Sequence, residues 1–140
     1  MKHHQELLTV STLGRGLNEI SHEVRAIVER SGIALGLATI FCRHTSASLV
    51  IAENAAPSAS RDLLAWLARM APDGDPHYEH RDEGPDDMAA HLRTALLRSS
   101  ESIPVRAGGL ALGTWQGLFL AEHRSSPHQR ELIVHIAGTS

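Results

Sequence analysis

The sequence predicts an α+β fold, mostly antiparallel sheet with about three helices. Three observations carry this. Short apolar or alternating runs are bounded by turn residues, three other stretches repeat their apolar residues at helical spacing, and Gly108-Gly109 is placed as a hairpin turn. The 140 residues read as one domain, 1–140. A domain of this size buries roughly 70% of the surface its unfolded chain exposes, so it folds without disulfides. Cys42 is the single cysteine and ends an apolar run, which makes it a reduced, packed thiol.

The elements follow in order. Residues 6–13 alternate weakly and suit a first strand. Asn18 is placed to cap a helix whose Ile20, Val24, Ile27 and Val28 share a face, and Ser31-Gly32 ends it. Residues 33–42 are continuously apolar and β-branched and read as a buried strand, with a second strand over 47–52. Pro57 suits the first turn of a helix carrying Leu63, Leu67 and Met70 on one face. Residues 72–85 form a polar loop of a length that usually serves a function. Pro85 then opens a third helix with Asp86 and Asp87 in its first turn and Met88, Leu92, Ala95 and Leu96 as its apolar face. A short strand at 103–106 and two long ones, near 110–122 and 130–137, complete the sheet.

The net charge of −3, scattered arginines and few aromatics exclude a nucleic-acid surface. No apolar run approaches the length of a membrane span, and no leader pattern is visible, so the expected compartment is the cytoplasm.

Chemistry concentrates between Tyr78 and His91. Two histidines, His80 and His91, bracket Asp82, Glu83, Asp86 and Asp87. His91 lies four residues after Asp87, on one helix face. The plain reading is a histidine held by a carboxylate at the edge of the core. His80 nearby adds the sharper one, a metal site with an open position. Asp86 is expected to cap the helix. A second group, His44-Thr45-Ser46, joins two apolar strands; Ser46 has no glycine-flanked elbow, so a serine-nucleophile triad is a weak rival. In the third, strand alternation puts Gln116 and Glu122 on an otherwise apolar face and Trp115 and His123 on the other. Polar groups facing inward must be bonded, so Gln116 and Glu122 either buttress a site or touch a ligand. Gly113 and Gly117 inside a strand point to bulges or to close approach of another backbone or a ligand.

These blocks resemble a known family. Arg43-His44-Thr45-Ser46-Ala47-Ser48, Glu53-Asn54-Ala55, Tyr78-Glu79-His80, Asp82-Glu83-Gly84-Pro85-Asp86-Asp87-Met88, Ala90-His91 and Leu110 through Gly117 stand in the order of the YjbQ-type proteins, the secondary thiamine-phosphate synthase family. The likeness spans nearly the whole chain. Ala56 departs from it, where relatives often carry Asp, and so does Arg98, where they often carry Gly. The resemblance implies a sandwich- or barrel-like sheet core, a homotrimer, and a metal held by His44, His80 and His91. It places Asp87, Gln116 and Glu122 around that metal as catalytic groups, with Thr45, Ser46, Arg81 and Trp115 contacting small phosphorylated metabolites. The implied reaction joins 4-amino-2-methyl-5-hydroxymethylpyrimidine pyrophosphate to a thiazole phosphate, releasing pyrophosphate. The barrel fold of the dedicated enzyme takes roughly 200 residues or more, so this chain would do it on other architecture.

Histidines suit zinc, whereas the carboxylates suit magnesium beside a pyrophosphate. An open three-histidine site favours metal-activated water, which sits poorly with a carbocation. The alternative is therefore a metal-dependent hydrolase of a small phosphorylated or acylated metabolite, with thiamine-phosphate synthesis a side reaction. A third reading is a non-enzymatic, small-molecule-binding trimer.

Overall fold

The computed structural model describes residues 1–140. Its strands build two antiparallel sheets that curl into a half-barrel, with three helices. Strands β1 (Lys2–Thr12), β3 (Leu35–Cys42), β5 (Ser100–Arg106), β6 (Gly109–Leu110) and β8 (His128–Thr139) form the larger sheet, in the order β1-β8-β3-β5-β6. Strands β2 (Gly16–Glu19), β4 (Ala47–Glu53) and β7 (Gln116–Glu122) form the smaller, in the order β2-β7-β4. The outer strand β1 pairs with β8 along its whole length, from Lys2↔Gly138 to Thr12↔His128.

One continuous core lies between the sheets. Ala38, Ile40 and Cys42 of β3 and Leu132, Val134 and Ile136 of β8 meet Leu49, Leu118 and Leu120 of the smaller sheet. Helix α1 (Ser21–Ser31) adds Val24, Ile27 and Val28, the expected face, and ends at Gly32 with φ 68°, also as expected. Helices α2 (Pro57–Met70) and α3 (Asp87–Leu96) lie outside this core; α3 packs against β4. No helix is long and apolar enough to cross a membrane.

Several sequence expectations are corrected here. Asn18 caps no helix: it sits in β2, unforeseen from sequence, and donates Nδ2–H to the Leu120 carbonyl at 3.3 Å. Ser21 instead uses its hydroxyl to accept the Leu118 N–H at 2.9 Å, stitching α1 to β7. The last long hairpin is also shorter. Residues 111–115 turn rather than extend, because the Gln116 N–H donates to the Gly113 carbonyl and its Oε1 accepts the Gly113 N–H. Gly117 is the expected close approach: a Cβ there would lie 2.7 Å from a Glu19 carboxylate oxygen.

Strand β3 is not buried on both sides. Leu35, Leu37 and Phe41 are roughly half exposed, because nothing in the chain covers the outer face of the larger sheet. Of the α2 residues expected inside, Leu67 is buried while Met70 is exposed. Helix α3 is turned from its expected face: Leu92 and Leu96 are exposed, and Asp87, Ala89, Ala90 and Arg93 are buried.

Beneath α3 the buried polar groups are nearly all paired. His123 Nε2 and the Ser48 hydroxyl are 2.8 Å apart. Arg93 Nη2 donates to the Ala71 carbonyl, and its Nε is the one fully buried polar side-chain atom without a partner. Burial, and then the nearby Arg93 charge, lower the His123 ring from 6.5 to about 4. The unfolded chain therefore takes up a proton between those values that the folded chain refuses. Stability contributed by neutral His123 is complete above pH 6.5 and is lost as the pH falls through about 4. The loss is on the order of 3 kcal/mol. Urea unfolding at pH 7 and pH 4.5 is expected to show this drop, and His123→Gln to shrink it. An equal drop in the variant would clear the ring of responsibility.

Candidate metal centre

The 72–85 loop folds on itself to deliver His80. The Gly74 N–H donates to the Pro85 carbonyl at 2.9 Å, closing its ends, and the Tyr78 hydroxyl donates to the Pro72 carbonyl at 2.9 Å. Gly74 and Gly84 take φ values of 65° and 104°, where a side chain would be strained. Helix α3 then carries Asp87 and His91 one turn apart on the side facing that loop.

Three donors converge. His80 Nε2 lies 2.9 Å and His91 Nε2 3.1 Å from the same Asp87 oxygen, Oδ2. The two rings stand 5.3 Å apart, tilted by 49°. The Asp87 side chain is 2% exposed, and its other oxygen forms an ion pair with Arg124 Nη1 at 3.0 Å.

Protonation makes this more than a pair of ion contacts. His91 Nδ1 lies 2.8 Å from the Thr45 carbonyl oxygen, which can only accept, so Nδ1 carries a proton. A singly protonated His91 then points the lone pair of Nε2 at a carboxylate oxygen. Only a second proton or a metal ion can bridge two such acceptors. The donor set fits an ion: His80, Asp87 and His91 have their ligand atoms within 4.8 Å of one another. Neighbouring ligands of a tetrahedral zinc stand about 3.3 Å apart, close to the spacing here.

The donors that converge are His80, His91 and Asp87, whereas the resemblance implied His44 with the two histidines. His44 lines the cleft beside His80 and His91, but its Nε2 accepts the Glu131 backbone N–H at 2.8 Å and is not free to bind an ion. Burial and the nearby Arg130 charge lower the His44 ring below its usual range, so it stays neutral and offers Nδ1–H. Asp87, expected as a catalytic group, is the third donor that converges with the two histidines.

The other expected residues separate. Thr45 lines the cleft, about 610 Å³, with Thr94, Ser99 and Met88. Arg81 lines a second cavity of about 300 Å³ on the other side of His80. Ser46 is buried, its hydroxyl taken by Arg130 at 2.9 Å. Glu122, expected as a catalytic group, is fully buried, and its carboxylate oxygens are taken by groups of the chain itself. It receives Arg130 Nε at 2.8 Å, the Thr12 hydroxyl at 2.6 Å and the Arg124 N–H at 3.1 Å. Burial works against its charge, but these bonds hold the carboxyl below its usual range. Gln116 begins β7, six residues from Glu122 and so about 20 Å away along the strand. Gln116 and the exposed Trp115 are thus not at the cluster within one chain.

Asp86 occupies the N-cap position but makes no capping bond. Its Oδ2 accepts the Ser125 N–H, the Ser125 hydroxyl and Arg124 Nε, all within 3.1 Å. Burial opposes its charge, yet the Ser125 and Arg124 bonds keep its carboxyl well below the ordinary range. Asp82 and Glu83 are exposed and gather no ion-binding group.

Two residues were missed. Arg124 ties Asp86 and Asp87 to the end of β7, and Arg130 clamps Glu122 and Ser46. Arg124 directly follows the Glu122-His123 pair that the strand pattern picked out, the one signal that pointed there. Arg130 should be the more costly to orphan. Glu122→Gln leaves its charge buried without a counter-charge, an expected loss of about 3 kcal/mol in urea unfolding. A matched Glu122→Leu, Arg130→Met pair should recover most of it; no loss in the single variant would contradict the pairing.

Comparison with known proteins agrees on the family. Residues 6–139 match the family described as UPF0047 protein YjbQ-like. A UPF0047 protein from Synechocystis sp. is 50% identical over 98% of this chain and 93% of its own length. The UPF0047 protein YjbQ of Escherichia coli O157:H7 is 35% identical over 96% and 98%. Among solved structures, a YbjQ-like protein of unknown function from Sulfolobus solfataricus P2 superposes with a TM-score of 0.90. It is 30% identical, covering 98% of both chains.

Proposed function

The chain belongs to the UPF0047 YjbQ-like family, and from the site it carries we propose a metal-dependent hydrolase of a small phosphorylated or acylated metabolite. His80, Asp87 and His91 are the ligands. The observation that carries the reading is the His91 ring, whose Nδ1–H is spent on the Thr45 carbonyl while Nε2 faces Asp87. Two histidines and a carboxylate favour zinc or another transition ion over magnesium. A divalent ion held there supplies a polarised water and a Lewis acid.

The chain's own groups do the rest. The Thr45 carbonyl fixes the His91 tautomer, and Arg124 fixes the Asp87 carboxylate. The cleft holds a small substrate against the Thr45, Thr94 and Ser99 side chains. His44, kept neutral, offers Nδ1–H to a substrate oxygen. In the hydrolysis, the water oxygen bonds to the acyl or phosphoryl centre, the ester oxygen leaves, and the proton from water goes to that leaving oxygen. The expected compartment is the cytoplasm, where a single buried Cys42 stays reduced.

A second reading is favoured by the Glu83-Gly84-Pro85-Asp86-Asp87 and Gly113-Thr114-Trp115-Gln116-Gly117 blocks, which resemble the secondary thiamine-phosphate synthases. In it, the thiazole nitrogen bonds to the pyrimidinyl methylene carbon as the carbon–oxygen bond to pyrophosphate breaks. Magnesium beside the departing pyrophosphate would serve this reaction. Arg81 is the one arginine or lysine lining either the cleft or the smaller cavity, too little charge for a departing pyrophosphate, which places this activity second.

The uncovered outer face of the larger sheet, with Leu7, Leu35, Leu37 and Phe41, supports the homotrimer as the working assembly. Light scattering is expected to give three chains per particle, and Phe41→Glu to dissociate it. A monomeric wild type would contradict the trimer.

Purified protein supplied with zinc is expected to hold about one ion per chain. His91→Ala and Asp87→Asn should lose it, and Arg124→Gln should weaken it roughly 10- to 100-fold. Turnover in a panel of phosphate esters and acyl esters should vanish with the metal. Metal-free protein with an intact trimer and no turnover would leave the non-enzymatic reading. Thiamine phosphate formed from the two precursors above a boiled control, and abolished in His91→Ala, would promote the second reading over the first.

A further inference from the structure

We infer that the substrate of this site has two unlike ends: an oxyanion seated in the 300 Å³ cavity beside Arg81, and an uncharged body in the 610 Å³ cleft. The inference rests on the reading of His80, Asp87 and His91 as the reacting centre. The two cavities share His80 and Met88, so one molecule can reach both by crossing the cluster.

Their linings differ in charge. No Arg, Lys, Asp or Glu lines the larger cleft; His44, Thr45, Thr94 and Ser99 supply its polar groups. The smaller cavity holds Arg81 and Asp75 as its charged side chains. Asp75 makes no ion pair with Arg81. Its Oδ1 accepts the His77 backbone N–H at 2.9 Å and lies 2.9 Å from the His77 ring. Arg81 makes no ion pair, although thirteen contacts of that kind occur elsewhere, so its charge has no internal partner.

Arg81 is nonetheless held in place. Its Nε donates to the Tyr78 carbonyl at 2.5 Å and its Nη2 to the Pro76 carbonyl at 2.8 Å. Two neutral carbonyls fix the guanidinium plane without spending its charge. Nη1 and the second Nη2 proton remain available to an incoming oxyanion, which an arginine fork recognises by geometry as well as charge. The loop that closes through Gly74 and Pro85 thus presents a cation, and the same loop delivers His80. Asp75 works against an anion, which makes a group with two oxygens, able to reach Nη1 and Nη2 together, the better fit.

Histidine-selective NMR on the full chain tests this, with and without zinc. Inorganic phosphate is titrated in one arm and acetate in another, which separates a phosphoryl from a carboxylate end. At least one anion is expected to shift the His80 signals saturably, and Arg81→Gln to weaken that binding at least tenfold with zinc content unchanged. Arg81→Lys, which keeps the charge, should retain part of the affinity and shows that loop damage is not the cause. The inference is overturned if neither anion binds, or if Arg81→Gln binds as the wild type does. Phosphate that binds only with zinc, and equally well in Arg81→Gln, overturns it too, because the anion then sits on the ion. Loss of zinc binding with the Arg81-dependent anion intact would instead sink the metal centre alone.

Discussion

Asp87 is the constraint on which the site is built. A carboxylate with 2% of its side chain exposed is tolerated inside a protein only when its charge is answered. Arg124 answers one oxygen and two histidine rings converge on the other. To place Asp87 there, α3 must turn its first residue inward. Arg93 follows on the same buried side, and Leu92 and Leu96 are carried outward. The orientation of a whole helix thus follows from one ionised group.

A second buried carboxylate does the same for the opposite wall. Glu122 takes Arg130 and Thr12, and Arg130 reaches on to the Ser46 carbonyl and hydroxyl. That clamp holds the turn whose next carbonyl, at Thr45, sets the His91 tautomer. The two ion pairs are linked through consecutive residues, because the Arg124 N–H donates to Glu122 while its side chain binds Asp86 and Asp87. The cluster and the core therefore share a framework, in which Glu122 holds the loop through Arg130.

The sequence made the local chemistry legible and the long-range pairing obscure. His80, Asp87 and His91 lie within twelve residues, and the i,i+4 relation of Asp87 and His91 is visible in any helix drawn through them. Helix α1, its Gly32 end and the close approach at Gly117 were equally readable, because each rests on local spacing or local sterics. Arg124 was not, since it meets Asp86 from thirty-eight residues away across the sheet. The outward turn of Leu92 and Leu96 was hidden for the same reason: periodicity shows a stripe of apolar residues, not the charge that outbids it. The half-exposed β3 was misread because an apolar run looks the same whether its second face meets the core or lies open. His44, implied as a ligand by the resemblance, does line the cleft, yet only the paired register of β3 with β8 reveals the Glu131 N–H that occupies its Nε2.

The central claim is the identity of the ligands. Anomalous diffraction at the zinc edge, from crystals of zinc-loaded protein, tests it most directly. One peak per chain is expected, with His80 Nε2, His91 Nε2 and an Asp87 oxygen at about 2.0–2.2 Å and His44 still bonded to the Glu131 N–H. A peak ligated by His44, or an Asp87 that keeps both histidines with no ion among them, would contradict it.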